Sequence, residues 1–403
     1  MQVQSHAPRI SRIPAYLRTL RQNCCSERAL QSGKTRTAVN SGYAYGSFGV
    51  TSAAANMQRA TSESPADSSQ RRLLVIGGSS GSLAPLKRIL ADIRPDVRLS
   101  IVVVQHRHAK TEVPVASLGV DTKLAVRTAQ DMQRLEAGTV YFAPAGRHVL
   151  VAPDSLRVVH GPRENLARPS IDVLFRSAAV TFGSQVVGVI LSGELQDGAA
   201  GLRAIRRCGG YTLVQDPVDA SSPALPRAAL ETSPNRVLPA AQIGALLNEL
   251  AAETVQPSPP VPRDLEVEAR AASAAMTDPS EIIRLGEKTH FSCPECQGPL
   301  WLLREPPEHF RCDVGHSFGI EELEAGQAQA LERALWVAYR VLAERAHLLQ
   351  HMAQSARERG MESVANGYIE RMQELSGHAR DIIKTLEAIE PRPPTAEPLE
   401  KTS

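Results

Sequence analysis

Ser79 sits in the run Gly77-Gly78-Ser79-Ser80-Gly81, directly after the apolar residues 73–76. Small residues around a serine let the chain turn sharply from a strand into a helix and hold the hydroxyl above the sheet. The start of the following helix supplies N–H groups and positive potential at the same place. A serine is a weak nucleophile by itself. It needs a base, and an imidazole base needs a carboxylate to orient it. A second apolar run, 100–104, ends in Gln105-His106. A third, 187–191, is followed by Ser192-Gly193-Glu194-Leu195-Gln196-Asp197-Gly198. Three complementary groups therefore follow three strand ends, as acyl transfer by nucleophile, base and orienter requires. Taken singly, each signal has an ordinary alternative. A Gly-rich turn also suits a phosphate or dinucleotide, a lone histidine is commonly structural, and Asp197 is equally placed to cap a helix. Against a dinucleotide stand Ser79, where the fingerprint has its second glycine, and Gln105-His106, where it has a ribose-binding acid.

A different chemistry is written near the C-terminus. Cys293-Pro294-Glu295-Cys296 is followed after fifteen residues by Cys312-Asp313-Val314-Gly315-His316. Two pairs of soft or borderline ligands suit tetrahedral Zn²⁺, and four filled positions make the site structural, not catalytic. Trp301, Phe310 and Phe318 lie among the ligands and are expected to form the small core of such a ribbon.

The elements that position these groups follow from periodicity. Strands are predicted at 73–76, 100–104, 140–142, 187–191 and 211–214, with helices at 83–93, 171–180, 198–207 and 241–250. Strands that are apolar throughout, alternating with helices, predict a parallel sheet covered on both faces. The fold class expected is α/β, a doubly wound, mostly parallel, Rossmann-like sheet. A small zinc-ribbon-like module and a helical hairpin are expected to follow it. Leu331, Leu335, Ala338, Leu342, Ala346 and Leu349 recur at helical spacing, as do Tyr368, Met372, Leu375, Ala379, Ile382, Leu386 and Ile389. Arg359-Gly360 lies between them as a turn. The organisation read from the chain is an N-terminal extension, disordered or mis-assigned, at 1–70, and a catalytic domain at 71–253. A proline-rich and charged linker at 254–288, a ribbon at 289–320, a hairpin or coiled coil at 321–390 and a polar tail at 391–403 complete it.

Composition sets broad limits. The 403 residues carry a formal net charge of +2 and are 42% hydrophobic, which gives no bulk argument for nucleic acid or membrane insertion. Six cysteines, spread unevenly, do not form a disulfide framework and point to a reducing compartment, the cytoplasm.

Residues 72–252 resemble the catalytic domain of the CheB-type chemotaxis methylesterases. The resemblance is carried by Ile76-Gly77-Gly78-Ser79-Ser80-Gly81, Val104-Gln105-His106, Tyr141-Phe142-Ala143-Pro144, the run from Arg168-Pro169-Ser170-Ile171-Asp172 to Phe175, and 191–198. It implies Ser79 as nucleophile, His106 as base and Asp197 as its orienter. Ser80 is implied as a supporting hydroxyl, and the loop at Glu194 as part of the oxyanion site. It also implies hydrolysis of glutamyl methyl esters on chemoreceptors, with glutamine deamidation as a related activity and no cofactor for catalysis. Arg107, Arg147, Arg163, Arg168 and Arg227 are candidates to meet an acidic helical substrate, Arg107 and Arg168 foremost. The hairpin is expected to mediate self-association or to dock a receptor, a sensor kinase or a methyltransferase. Glu194-Leu195-Gln196 stands where the family has Met-Gly-Asn, and Ser82 replaces a glycine. Residues 1–70 are too short and polar for the family's phospho-receiver domain. These departures motivate an alternative, a weakly active regulatory or scaffolding homologue.

Overall fold

The computed structural model describes residues 73–106, 122–272, 279–304 and 308–389. The expected N-terminal extension, the polar tail and Arg107 lie outside the described residues. Seven strands form one parallel sheet: β1 (Leu73–Gly78), β2 (Ser100–Gln105), β3 (Ala125–Thr128), β4 (Thr139–Phe142), β7 (Val186–Ile190), β8 (Tyr211–Gln215) and β9 (Arg236–Leu238). Their order is β3-β4-β2-β1-β7-β8-β9. Between β4 and β7 the chain adds an antiparallel hairpin, β5 (His148–Val151) and β6 (Leu156–Val159).

Alternation along the strands explains why the central ones are apolar throughout. Leu73 and Val75 of β1 enter one core with Leu174, Phe175, Leu202 and Ile205. Leu74 and Ile76 enter the opposite core with Leu86, Ile89, Ile243 and Leu247. Successive side chains point to opposite faces, so a strand buried on both sides has no polar positions. The helices on one face are α1 (Leu83–Asp92) and α5 (Ala240–Ala252); those on the other are α2 (Ile171–Phe182) and α3 (Ala199–Arg207). A short helix, α4 (Ala224–Leu230), follows β8. Every strand and helix expected in this domain forms within a residue or two of its predicted bounds.

The stretch expected to be a linker is more structured than its composition suggests. It contains α6 (Arg263–Ala272) and α7 (Pro279–Ile283). Helix α6 buries Leu265 in the first core and also buries Val267, Glu268, Ala271 and Ala272. A ten-residue helix whose buried face includes two alanines and an acid carries little hydrophobic signal, and four nearby prolines mask the rest.

The ribbon is a four-stranded antiparallel sheet of β10 (Glu287–Ser292), β11 (Pro299–Leu303), β12 (His309–Cys312) and β13 (Ser317–Phe318). Its core holds Cys293, Leu300, Phe310, Cys312, Phe318 and Leu323. Trp301 is buried but lies outside that cluster. Helix α8 (Ile320–Glu358) then runs 39 residues, and α9 (Glu362–Ile389) packs back along it after a turn in which Gly360 has φ of +74°. The seam buries Ala346, Leu349, Ala353 and Ala356 against Ala365, Ala379 and Leu386. Leu331, expected in that seam, is 48% exposed. No helix among the described residues is long and apolar enough to cross a membrane.

Candidate active site

The chain runs outward from β1 to β2 on one side and returns to place β7 on the other side of β1. Such a reversal opens a crevice at the carboxyl ends of the strands, where open α/β sheets bind ligands. Ser79 follows β1 at that crevice and is half-buried. Its amide donates to the Ser192 carbonyl at 2.9 Å, which ties the serine turn to the end of β7. Gly81 has φ of +75°, and a Cβ there would collide with the Ser221 hydroxyl, so the turn after Ser79 requires glycine. Ser82 is buried and donates from Oγ to the Ser79 carbonyl at 2.7 Å, while Gln105 Nε2 donates to that Oγ at 3.2 Å. The hydroxyl that stands in place of a glycine thus braces the turn.

His106 stands beside Ser79 for a simple reason of register. Gly78 of β1 is paired with Gln105 of β2, and the His106 amide donates to the Gly78 carbonyl at 2.9 Å. Adjacent strands are about 4.8 Å apart, so the residues that follow a registered pair are neighbours. His106 Nε2 lies 2.8 Å from Asp197 Oδ2. That leaves Nδ1 as the nitrogen free to serve as base, the reverse of the arrangement in the chymotrypsin triad.

Asp197 is held inside the protein, 2% exposed. Oδ2 accepts the Ile171 amide at 2.6 Å; Oδ1 accepts Ser170 Oγ at 2.7 Å and Asn165 Nδ2 at 2.9 Å. Burial opposes its charge, but the His106 contact and these donors outweigh it and hold the carboxyl below the usual range. Asp172 lies next to it, accepting the Gly198 amide at 3.0 Å and the Gly201 amide at 2.6 Å. Burial, then the neighbouring Asp197 charge, pushes Asp172 up to about 7. Two adjacent carboxyls are thereby separated in role, with Asp197 the ionised one.

Sequence reasoning missed the residues that brace Asp197. His148 is fully buried; its Nδ1 accepts the Ser170 amide at 3.2 Å and its Nε2 lies 2.8 Å from the Pro162 carbonyl. This fixes the neutral tautomer with its proton on Nε2, and burial lowers its pKa. Asn165 and Asp172 were missed as well. The only sequence signal was Ser170-Ile171-Asp172, a helix-capping serine with an acid in the first turn.

Of the other expected residues, Ser80 is exposed, and its carbonyl accepts Ser192 Oγ at 2.8 Å. Glu194 is exposed on the loop between β7 and α3. Arg168 is half-buried, and its Nη1 donates to the Gly161 carbonyl at 2.7 Å. Burial and then the nearby Arg163 lower its pKa, so Arg163 and Arg168 lie in one positive region, with Glu295 as a counter-charge. Among the expected metal ligands, Cys293, Cys296, Cys312 and His316 bring one ligand atom each within 4.8 Å of one another. Two thiols, a third thiol and an imidazole so close together are a donor set that fits a tetrahedral cation.

A doubly wound sheet carrying a serine, a histidine and a buried aspartate at its switch point has the donor set that serine-type acyl transfer needs. A family model described as CheB methylesterase matches residues 74–247. A putative protein-glutamate methylesterase/protein-glutamine glutaminase of Leptospira interrogans is 36% identical over 180 residues, 44% of this chain and 93% of that one. The protein-glutamate methylesterase/protein-glutamine glutaminase 2 of Anaeromyxobacter dehalogenans is 38% identical over 188 residues, 46% of this chain and 55% of that one. The crystal structure of the Thermotoga maritima CheB methylesterase catalytic domain matches with 28% identity and a TM-score of 0.43, covering 44% of this chain and 98% of that one. The chain belongs to the CheB methylesterase family.

Proposed function

We propose that this chain hydrolyses γ-glutamyl methyl esters on methylated chemoreceptors, with Ser79, His106 and Asp197 as its catalytic triad. The observation that carries the reading is the meeting of His106 with a buried, ionised Asp197 at the strand end next to Ser79. His106 takes the Ser79 proton on Nδ1 as Oγ attacks the ester carbonyl. Asp197 stabilises the imidazolium through Nε2. The Ser79 amide is already engaged with Ser192, so the developing oxyanion is met by other backbone amides, that of Glu194 first. The imidazolium returns its proton to the leaving methoxide. Methanol departs, and water activated by His106 hydrolyses the acyl-enzyme to free glutamate. A glutamine side-chain amide enters the same cycle with ammonia as leaving group, in keeping with the second half of the relatives' names.

Arg107, Arg163 and Arg168 are proposed to attract the acidic receptor helix. The Cys293, Cys296, Cys312 and His316 set is proposed to hold structural Zn²⁺. The hairpin exposes Trp336, Val337, Val341 and Leu348, which supports docking of a signalling partner such as the receptor, a sensor kinase or a methyltransferase, or self-association. The chain is proposed to work in the cytoplasm. Purified protein incubated with receptor fragments bearing labelled methyl esters should release methanol, and Ser79→Ala should reduce release by about a thousandfold or more. Equal release by both would refute the triad.

A further inference from the structure

We propose that the C-terminal extension sets the geometry of the catalytic site, with Glu322 and Asn165 as positioning residues. This inference rests on the reading of Ser79, His106 and Asp197 as the triad. Two contacts carry it, one made directly to Gln196 and one relayed through Asn165 to the next residue, Asp197. Glu322, in the first turn of α8 and 0% exposed, accepts the Gln196 amide on Oε1 at 2.7 Å. Gly319, just before the same helix, donates its amide to Asn165 Oδ1 at 2.9 Å, and Asn165 Nδ2 donates onward to Asp197 at 2.9 Å and to Asp172 at 2.8 Å. The start of one helix thus holds both the loop before Asp197 and the carboxylate itself.

The loop needs such a hold. Leu195, between Glu194 and Gln196, has φ of +59°, a left-handed conformation that a residue with a Cβ adopts only under constraint. Glu322 fastens the very next amide. The extension is itself anchored to the hydrolase domain, so the contact is not a chance touch of a loose tail. Arg311 of β12 reaches Glu164 at 3.1 Å and Glu268 at 3.2 Å. Arg176 of α2 pairs with the same two carboxylates, and His309 approaches Glu268 at 3.1 Å. All five side chains are buried. The Asn165 amide also donates to the Ser317 carbonyl at 2.7 Å, which adds the segment before α2 to the edge of β13. None of the extension lies within the matched stretch 74–247. Its contribution to the site is therefore additional to the domain that the family model matches, and it gives the chain a route by which the state of the ribbon governs turnover.

The test uses the full chain with Glu322→Ala, Glu322→Gln and Leu195→Gly, reading kcat and KM for methanol release together with amide hydrogen exchange over 193–197. Glu322→Ala should lower kcat by about ten- to a hundredfold with little change in KM, because misplacing a reacting group by about 1 Å costs that much. Glu322→Gln keeps a carbonyl for the Gln196 amide and should restore most of the rate. Adding Leu195→Gly to Glu322→Ala should recover part of it, since glycine takes the left-handed conformation unaided. Should Glu322→Ala fail to fold, Glu322→Asp keeps a carboxyl but shortens the reach, and should show a smaller loss of the same kind. Wild-type kcat and exchange in Glu322→Ala or Glu322→Asp would overturn the proposal and leave the triad standing. If wild type and Ser79→Ala were equally inactive, the hydrolase reading would fail instead. Exchange over 193–197 would then decide the clamp: faster in Glu322→Ala but not in Glu322→Gln upholds it, and unchanged exchange refutes it.

Discussion

Ser79 and His106 stand on the tips of adjacent strands whose register is set by backbone hydrogen bonds through the middle of the sheet. Asp197 hangs in a loop whose place depends on side chains from 165, 170 and 172 and, through Asn165, on the C-terminal extension. Backbone ladders tolerate side-chain change, whereas buried polar networks fail when one partner is removed and the other is left unpaired. Ser79 and His106 should therefore keep their positions in most variants, and the aspartate side of the cleft should be where activity is lost or tuned.

The largest effect expected on that weaker side is at Asp197 itself. Asp197→Asn should lower kcat by about a hundred- to ten-thousandfold while KM changes little, because the imidazolium loses its counter-charge; steady-state kinetics on a methylated receptor fragment checks this. Next is the anchor of the extension. Arg311→Ala leaves Glu164 and Glu268 short of a buried partner and should destabilise the protein by about 3–5 kcal/mol in urea unfolding. Arg304→Ala breaks an exposed pair with Glu287 and should leave the unfolding midpoint in the same assay nearly unchanged. A third comparison concerns the metal proposal: native mass spectrometry should find one ion per chain in the wild type and none in Cys312→Ser.

A further set of effects concerns the dependence of stability on pH. Glu164 and Glu268 have folded pKa values lowered from 4.5 by their cationic neighbours, against the opposing effect of burial. Their contribution is present above 4.5 and is lost as pH falls through the lowered values. Asp172 has the opposite sign. Raised from 3.8 to about 7, it contributes fully below 3.8, and that contribution is lost as pH rises through about 7. Urea unfolding from pH 3 to 9 should show decline on both sides, with Asp172→Asn flattening only the neutral side.

The backbone-held half of the site was legible in the sequence. Continuous apolar runs mark doubly covered strands, and Gly77-Gly78 and Gln105-His106 mark where they end. Asp197 was legible as the first acid followed by glycine after a third such run. Its support was not. Asn165, His148, Asp172, Arg311 and Glu322 are polar residues, and a sequence alone gives no sign that they are buried. Glu322 meets Gln196 across 126 positions, a separation no local pattern encodes. Helix α6 escaped for a related reason, since its buried face relies on Glu268 as much as on Leu265. The ribbon was easier, because its three cysteines and one histidine announce themselves by spacing.

The central claim is that Ser79, His106 and Asp197 act as one unit, and a double-mutant comparison tests it most directly. Measured as methanol release, Ser79→Ala combined with His106→Ala should be no slower than Ser79→Ala alone, as befits residues that share a single step. Losses that multiply in the double variant would mean that the two residues serve separate steps, and the triad would have to be abandoned.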